Sequence, residues 1–457
     1  MTTITERASY GSYFLGQNIF YWLVTMYMVP FFTDSGVPPL TVAVLALVVK
    51  VWDGINDPIF GGIVDKVRLK KGKFLFWLRL SLIFIPLSTV LIFALPSDLS
   101  LGMKILWSAL AYIFWSTAYT ICDAPVFGLV TTMTDQLQER TTLITIGRIF
   151  AGGGFAVAGV IVPLIRQNVG GWLPMAALLS AVSLIFMTPL CFTARERIAP
   201  RKEEREGGSA ATVSFGDMFR YLKSNKYLFI YFGAFILARI FDIGGMLGMY
   251  FARYNLGDES LLGVLGTITI APSLIGMLAV PVLCKRIDKF TLFWWCTVLT
   301  VIFGAASYCA GYSSFPVFVA FACLRSIPAG FIGVLMFMFT PDCVEYGAYK
   351  TGVNASGIAF SLQTFSSKLL GAFNTAIAAV LLSLIGFVQG EGAAQPAGFE
   401  DRLFVAYILV PALGFLLALP LLSRYKLREK DVQVMARYNS GAISREEADS
   451  LLGGRYS

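Results

Sequence analysis

The chain of 457 residues is 56% hydrophobic and only 14% charged. A soluble globular protein has about 25% charged residues, so this composition excludes an ordinary soluble enzyme, a disordered protein and a collagen-like fibre. The 36 basic residues exceed the 28 acidic ones and give a formal net charge of +8. Because charges are scarce overall, we interpret this excess as loop bias at a membrane face and expect no nucleic-acid partner.

The sequence carries no signal for catalysis. It contains no histidine, and its seven cysteines are scattered without a CxxC pair, so neither an imidazole-dependent site nor a disulfide framework is predicted. No nucleophile–base pair, phosphate-binding loop or metal motif is visible. We therefore expect no enzyme activity and no cofactor.

Twelve apolar stretches follow one another along the chain, and each is close to the roughly 20 residues that cross a bilayer. They lie near residues 10–33, 40–64, 74–95, 103–128, 143–165, 172–193, 227–251, 261–284, 290–311, 315–340, 356–388 and 403–423. We therefore predict an all-α protein of the lipid bilayer with twelve transmembrane helices.

Basic residues predict the orientation of these helices. The segments after the second, fourth, sixth, eighth and tenth stretches, together with both termini, hold 26 of the 36 Lys and Arg residues. Because cytoplasmic loops carry such an excess, we expect both termini in the cytoplasm. The protein is expected to be a multi-pass component of the bacterial plasma (inner) membrane.

The longest polar interruption divides the chain into two halves. We predict an N-terminal six-helix bundle at 1–193, a cytoplasmic linker with an interfacial helix at 194–226, a C-terminal six-helix bundle at 227–423 and a cytoplasmic tail at 424–457. The tail carries a capping box at Ser444 and Glu447 and is expected to be a solvated helix. Two six-helix bundles joined by a basic loop predict the major facilitator fold, which binds its substrate between the halves near the bilayer midplane.

Four acidic residues lie inside apolar stretches, where a charge usually faces a cavity and often marks function. They are Asp53, Asp57, Asp123 and Asp242. Asp242 lies three residues after Arg239, so we expect these two to pair with each other. The other three acids require a different explanation.

The second stretch carries Asp53 and Asp57 on one helical face, because they are four residues apart. Lys50 lies one turn earlier on a similar face. If the second and fourth stretches meet, Thr120 adds to an all-oxygen cluster of the kind preferred by hard cations such as Na⁺ rather than by transition metals. We predict that the cation is held by Asp53, Asn56, Asp57 and Thr120. The alternative is an internal salt-bridge cluster with Lys50 and Arg148.

A second polar set suits a sugar. Asp123 accepts hydrogen bonds from hydroxyl groups, and the guanidinium of Arg148 donates to oxygens. Phe127 lies one turn after Asp123, where its ring would pack against the apolar face of a sugar. Gln17 and Asn18 add hydrogen-bonding groups in the first stretch. Packing in the core or against lipid remains the alternative for Phe127.

The eleventh stretch contributes a polar turn from the second half of the chain. Its side chains Gln363, Thr364 and Lys368 interrupt an otherwise apolar helix. We predict that they complete the sugar site and that Lys368 reaches the acids of the first half. The alternative for Lys368 is that it extends to the membrane interface.

Several charged residues are candidates for coupling or gating. The sequence GGIVDKVR, which contains Asp65 and Arg68, resembles the loop signature G-x3-D-[RK]-x-[GR] of the major facilitator superfamily. Asp342 and Glu345 lie between the tenth and eleventh stretches, in the second half of the chain. We expect these four residues to close the cytoplasmic side and Lys50 to take part in coupling.

The longer motifs identify a family. The segments DGINDPIFGGIVDKVRLKKGKFLFWL, YTICDAPVFGLV, IGRIFAGG, PDCVEYGAYKTG and IAFSLQTFSSKLLGAF resemble, in register and in order, the glycoside–pentoside–hexuronide:cation symporter family, which includes the melibiose permease. The resemblance runs from about residue 9 to 425. It implies that the family's cation site falls on Asp53, Asn56, Asp57 and Thr120. It also places the sugar site on Asp123, Arg148, Gln363, Thr364 and Lys368.

The chain departs from the melibiose permease pattern at three positions. Gln17 and Asn18 replace a Lys-Asp pair, and Phe127 replaces a tryptophan. The change at Asn18 removes a strong acceptor and a negative charge, so melibiose itself is not expected to be the substrate. A hexuronide, a pentoside and another glycoside all remain open.

The resemblance implies a secondary active transporter that brings a sugar or glycoside into the cell together with a cation by alternating access. Na⁺ is favoured over H⁺ or Li⁺, although two carboxylates also suit protons. The alternatives are a Na⁺-coupled lysolipid carrier, against which the polar side chains argue, and a non-transporting sugar sensor, which needs no coupling ion. We expect the protein to act as a monomer.

Overall fold

The computed structural model describes residues 2–66, 74–134, 136–166, 168–197, 225–352, 356–390 and 392–456. Within these ranges the secondary structure is helical, with turns and no strand. The first six helices are α1 (Ile4–Asp34), α2 (Pro39–Lys66), α3 (Leu75–Phe93), α4 (Leu101–Met133), α5 (Leu137–Ile165) and α6 (Trp172–Thr193).

The remaining helices follow the segment predicted as the linker, of which residues 198–224 lie outside the described part. They are α7 (Lys226–Arg239), α8 (Gly244–Tyr254), α9 (Ser260–Leu283), α10 (Lys289–Ala310), α11 (Phe315–Leu335), α12 (Phe339–Thr351), α13 (Ser356–Leu384), α14 (Phe399–Leu422), α15 (Glu429–Asn439) and α16 (Arg445–Leu452), with a 3₁₀ turn at Met336–Met338. The interfacial helix predicted before α7 cannot be compared with these elements.

Ten segments of the described chain are helical, long and apolar enough to cross a membrane. The first and eleventh predicted stretches, which correspond to α1 and α13, are not among the ten. Both are helical, but α1 carries polar side chains, and in α13 the segment Leu369–Leu384 forms a shorter apolar helix. An all-α membrane protein is therefore confirmed, while the number twelve stays a prediction.

The seventh predicted span is interrupted. α7 ends at Arg239, α8 begins at Gly244, and the amide of Asp242 bonds to the carbonyl of Arg239 at 3.1 Å. The side chains of Arg239 and Asp242 form the expected ion pair at 3.1 Å, with exposures of 42% and 44%. The two glycines that open α8 favour such a break, because glycine weakens a helix.

α1 packs closely against α5 and α6 because glycines line the contacts. A Cβ atom added at Gly154 of α5 would lie 2.6 Å from the Cβ of Asn18, and one at Gly16 would lie 2.5 Å from the carbonyl oxygen of Ser183 on α6. Small residues allow helix backbones to approach in this way. The polar residues of α1 are thereby held beside α5.

The start of α5 is fixed to the N-terminus by a buried carboxylate. Glu139 accepts hydrogen bonds from the hydroxyl of Thr134 at 2.5 Å, the backbone amide of Thr2 at 2.7 Å and the guanidinium of Arg7 at 2.8 Å. These bonds, the one from Thr134 first, lower the pKa of the Glu139 carboxyl to about 2. The carboxylate is therefore charged at all physiological pH values.

The chain forms two compact units. The first contains Met1–Glu204, Gly245–Thr267 and Thr375–Leu403, and the second contains Arg205–Gly244, Ile268–Asn374 and Phe404–Ser457. The second unit has a buried core that includes the aromatic side chains of Tyr231, Phe339 and Tyr425. The division into two six-helix bundles stays a prediction.

The C-terminal segment is not merely a solvated helix, as the sequence suggested. It folds as α15 and α16, and the side chains of Met435 and Leu452 are buried in the core of the second unit. The predicted cap is present, since the hydroxyl of Ser444 accepts from the amide of Glu447 at 3.2 Å. Apolar residues at helical spacing therefore attach the tail to the rest of this unit.

Candidate cation and sugar sites

Oxygen-bearing side chains of α2 and α4 meet as the sequence predicted. The amide of Asn56 donates to the hydroxyl oxygen of Thr120 at 3.0 Å, and the Thr120 hydroxyl donates to Oδ1 of Asp57 at 2.8 Å. Asn56 and Thr120 are buried, and Asp57 is partly buried. One threonine thus links an amide and a carboxylate across two helices.

Asp53 has its own partners in the same region. Nζ of Lys50 lies 2.7 Å from Oδ2 of Asp53, and the hydroxyl of Ser116 donates to Oδ1. Sequence reasoning did not identify Ser116, although it lies four residues before Thr120 and therefore shares its face of α4. The structure adds Ser116 to the oxygen cluster.

The described part of this cluster contains charges of both signs. Asp53 and Asp57 contribute two carboxylates, and Lys50 contributes an ammonium group that binds Asp53. The pairing of Lys50 agrees with the salt-bridge alternative as well, but the guanidinium of Arg148 lies elsewhere, over the ring of Phe127.

A second polar contact joins α1 to α4. Nε2 of Gln17 donates to Oδ1 of Asp123 at 2.7 Å. Gln17 is completely buried, whereas Asp123 is half-buried. Asp123 follows Thr120 by three residues, so α4 carries both the cation cluster and this contact. The direct Gln17–Asp123 bond was not predicted.

The side chain of Arg148 on α5 lies over the ring of Phe127 on α4. The guanidinium carbon of Arg148 is 5.5 Å from the centroid of the Phe127 ring, which also contacts the ring of Phe14 at 5.4 Å. Arg148 is exposed, so its N–H groups remain accessible to a ligand while the ring stabilises the charge. The structure therefore places Asp123 and Phe127 on α4 and brings Arg148 of α5 to Phe127.

Asn18 has a local role in the structure. Its Nδ2 donates to the carbonyl oxygen of Phe14 at 2.9 Å, one turn earlier in α1. Gly154 of α5 approaches its Cβ closely. Asn18 is half-buried, and its predicted contact with sugar stays a prediction.

The residues predicted in the eleventh stretch belong to the second unit. Gln363 is buried, and its side-chain nitrogen has no hydrogen-bond partner among the described residues. The side chains of Thr364 and Lys368 lie outside the described part of the structure. Their contribution to the sugar site stays a prediction.

Only some of the candidate gating residues have side chains in the described part of the structure. Arg68 and the side chain of Asp65 lie outside the described residues. Asp342 is buried against Lys289, with Nζ 2.6 Å from Oδ2. Glu345 accepts from the side-chain amide of Asn439 on α15 at 2.7 Å. Asp342 and Glu345 thus each bind a partner within the second unit, which the sequence did not reveal.

Four charged residues form an ion-pair network at the ends of helices of the first unit, on the side away from the N-terminus. Arg166, which follows α5, lies 2.5 Å from Glu259, and Glu259 lies 2.6 Å from Arg253 of α8. Arg253 also binds Asp34, the last residue of α1, through two bonds of 2.6 and 2.8 Å.

This network is largely excluded from water. Arg166, Glu259 and Asp34 are almost fully buried, and the side chain of Arg253 is 15% exposed. The indole N–H of Trp172 donates to Asp34 at 3.3 Å. Sequence reasoning counted the two arginines only as loop charges, because their partners lie far away in the chain.

Comparison with known proteins agrees with this architecture. The family model described as MFS/sugar transport protein matches residues 9–429. An isoprimeverose transporter of Lactiplantibacillus pentosus is 27% identical over 451 residues, covering 95% of this chain and 91% of that protein. A glucuronide carrier protein homolog of Escherichia coli (strain K12) is 27% identical over 435 residues and covers 91% of each chain.

The solved structures show the same fold. The crystal structure of the nucleoside transporter NupG has a TM-score of 0.64 and 14% identity, and the match covers 93% of this chain and all of that one. A bacterial homolog of the lysosomal transporter Spinster gives a TM-score of 0.62 at 12% identity, with both chains covered completely. The fold is therefore that of the major facilitator superfamily.

Fold and relatives together define a multi-pass membrane transporter. The chain belongs to the MFS/sugar transport protein family, and the resemblance to glycoside–pentoside–hexuronide:cation symporters is confirmed.

Proposed function

We propose that the protein couples the entry of a sugar or glycoside to the movement of a monovalent cation down its gradient. The observation that carries this proposal is the arrangement on α4, where Thr120 joins the oxygen cluster and Asp123, three residues later, binds Gln17. Relatives described as an isoprimeverose transporter and a glucuronide carrier homolog support a sugar-type substrate.

Na⁺ is the proposed coupling ion. The carboxylates of Asp53 and Asp57 meet the hydroxyls of Ser116 and Thr120 between α2 and α4, and such oxygen ligands suit hard cations. H⁺ and Li⁺ are the competing ions, because a carboxylate also binds a proton.

Coupling follows from the shared helix. A cation between Asp57 and Thr120 would fix the rotation of α4 and the position of Asp123, which lies almost one turn further on. Each ligand then raises the affinity for the other by the same factor, as linkage requires. The cation and the sugar thus need not touch to favour one another.

Alternating access requires a gate on each side of the substrate. The buried network of Arg166, Glu259, Arg253 and Asp34 is proposed to be the closed outer gate, since it joins the end of α1 to the end of α8. Opening this gate would separate the paired charges, so the network stabilises the outward-closed state, in which bound ligands are released to the cytoplasm. In this arrangement both termini face the cytoplasm and the transporter acts as a monomer in the inner membrane.

The test is uptake by the purified protein in proteoliposomes. The panel contains labelled galactosides, xylosides, glucuronides and sulfonated sugars, with an inward Na⁺ gradient or a K⁺ control and no proton gradient. Accumulation of one class with Na⁺ alone is the expected result. Accumulation only after a proton gradient is restored would contradict Na⁺ coupling. If no sugar moves under either gradient, the transport proposal is wrong, and a lysolipid carrier or a sensor must be tested instead.

A further inference from the structure

Four aromatic rings form a continuous chain beside the candidate sugar site. The ring of Tyr21 contacts those of Trp22 at 5.2 Å and Tyr119 at 5.3 Å, and Trp22 contacts Phe155 at 4.8 Å. We call these four residues the aromatic shelf. They belong to α1, α4 and α5, the helices that also carry Gln17, Asp123 and Arg148.

The register of α1 against α4 places the aromatic shelf on one side of the Gln17–Asp123 bond. Tyr21 follows Gln17 by four residues in α1, whereas Tyr119 precedes Asp123 by four residues in α4. Because Gln17 binds Asp123 and Tyr21 contacts Tyr119, α1 and α4 run in opposite directions here. At 1.5 Å per residue, the shelf begins about 6 Å from the Gln17–Asp123 bond.

Phe127 lies on the opposite side of that bond. It follows Asp123 by four residues, so it is about 6 Å from the bond in the other direction and about 12 Å along α4 from Tyr119. Arg148 lies over Phe127. The order along α4 is therefore Phe127 with the guanidinium of Arg148, then the Gln17–Asp123 pair, then the aromatic shelf.

The rings of the aromatic shelf are partly accessible. Phe155 is 45% exposed, and Tyr21, Trp22 and Tyr119 are half-buried. In the same turn of α1, Phe20 is completely buried. The accessible rings continue a strip that includes the half-buried carboxylate of Asp123, and a carboxylate at this depth faces a polar space rather than lipid.

The strip is too long for one sugar ring. A pyranose ring spans roughly one helical turn, about 5.4 Å, whereas the strip from Phe127 to Tyr119 extends over about 12 Å. Asp123, Gln17 and Arg148 supply the polar groups for one ring. The shelf offers partly accessible aromatic surface, against which a second ring would pack with little need for hydrogen bonds.

We propose that the aromatic shelf is the subsite for the second ring of a glycoside, so that the protein selects two-ring glycosides over free or methylated monosaccharides. This inference rests on the proposed sugar transport. Trp22 and Phe155 are its specificity-determining residues, because they lie furthest from the polar pair. The second ring is an aromatic aglycone or another sugar with an apolar face.

The test compares probes that differ only in the second ring. Methyl and 4-nitrophenyl glycosides of galactose, xylose and glucuronic acid are titrated against the full-length protein in Na⁺ buffer by calorimetry. The wild type is expected to bind the nitrophenyl member of the recognised pair about tenfold more tightly. Trp22→Leu should reduce this preference about three- to tenfold with little change for the methyl glycoside, and Trp22→Tyr should restore most of it.

The more exposed Phe155 provides a second variant that is less able to disturb folding. Phe155→Leu should lower the preference in the same direction, whereas Phe76→Leu, a residue of α3 with a similar exposure of 41%, should leave it unchanged. Equal binding of both probes, or equal weakening of both by the variants, would overturn the shelf and leave sugar transport intact. If no probe binds although the uptake panel shows transport, the shelf proposal is overturned; if no sugar is transported either, the proposed function fails and this inference falls with it.

Discussion

Arg253 binds both carboxylates of the network proposed as the outer gate, and its replacement is the sharpest test of that proposal. It forms two bonds to Asp34 and one to Glu259, and its side chain is 15% exposed. Arg253→Gln keeps much of the side-chain volume but removes the charge. Among the described contacts, Glu259 keeps Arg166, whereas Asp34 keeps a bond from Trp172.

The size of the expected effect follows because Glu259 keeps a cationic partner in this variant, whereas Asp34 does not. Removal of one partner from a buried ion pair costs about 3–5 kcal/mol, because the other charge stays buried without compensation. Only one carboxylate, Asp34, loses its cation, so we take the lower end, about 3 kcal/mol. At 1.4 kcal/mol per factor of ten, the closed arrangement should become roughly 100-fold less favoured.

The assay measures opening of the outer gate directly. Val37, completely buried just after α1, is replaced by cysteine in a protein whose exposed Cys309 has been changed to Ser. The labelling rate of Val37→Cys by a membrane-impermeant maleimide then reports how often this end opens. Arg253→Gln should accelerate labelling roughly 100-fold, up to the limit set by the reagent.

Arg402 supplies the matched control. It is an exposed arginine of the same unit, and its side chain makes a single weak bond of 3.4 Å to a backbone carbonyl. Arg402→Gln removes the same charge and should leave the labelling rate unchanged. If Arg253→Gln labels no faster than Arg402→Gln, the network does not hold the gate and the reasoning is refuted.

Three further outcomes are expected. Thr120→Val should weaken cation binding about tenfold, because it removes the hydroxyl that donates to a carboxylate. Thr132→Val on the same helix removes a hydroxyl that donates to the backbone carbonyl of Leu129 and should leave cation binding unchanged; calorimetric titration with Na⁺ distinguishes the two variants. The pKa of Glu139 is lowered to about 2, so its stabilising contribution is complete above pH 4.5 and is lost as pH falls toward 2. Glu139→Gln should therefore make the melting temperature depend less on pH between 4.5 and 2. An unchanged pH dependence in this variant would contradict the lowered pKa. Leu452 is 1% exposed, so Leu452→Ala should destabilise the protein by about 2–5 kcal/mol. Leu451 is 53% exposed, so Leu451→Ala should change stability by less than about 0.5 kcal/mol; equal melting temperatures of the two variants would show that the tail is not docked.

Local periodicity explains why much of the cation site could be predicted. Asp53 and Asp57 are four residues apart, so a helix places them on one face regardless of the surrounding fold. Their meeting with Thr120 required the second and fourth stretches to be neighbours, which the family resemblance supplied. Ser116 follows from the same spacing but lies outside the family motif, and it became apparent only when its hydroxyl was seen at Asp53.

Long-range pairing explains what could not be predicted. Arg253 and Asp34 are 219 residues apart, and nothing in the local pattern around either residue indicates its partner. The break between α7 and α8 was also missed, because hydropathy remains high across Ile240–Ile243 while the backbone hydrogen bonds change. The docked tail was missed because its buried residues, among them Met435 and Leu452, are interspersed with charged and polar ones.

The central claim is that one cation at Asp57 raises the affinity for sugar. The most direct test is the equilibrium dissociation constant of the transported sugar, measured with and without Na⁺ for the wild type and for Asp57→Asn. The wild type should bind sugar about five- to 150-fold more tightly in Na⁺, which is the range of typical coupling energies. Asp57→Asn, which keeps an oxygen for Thr120, should bind with one affinity in both buffers, close to that of the Na⁺-free wild type. An undiminished Na⁺ effect in Asp57→Asn, or no Na⁺ effect in the wild type, would contradict the account.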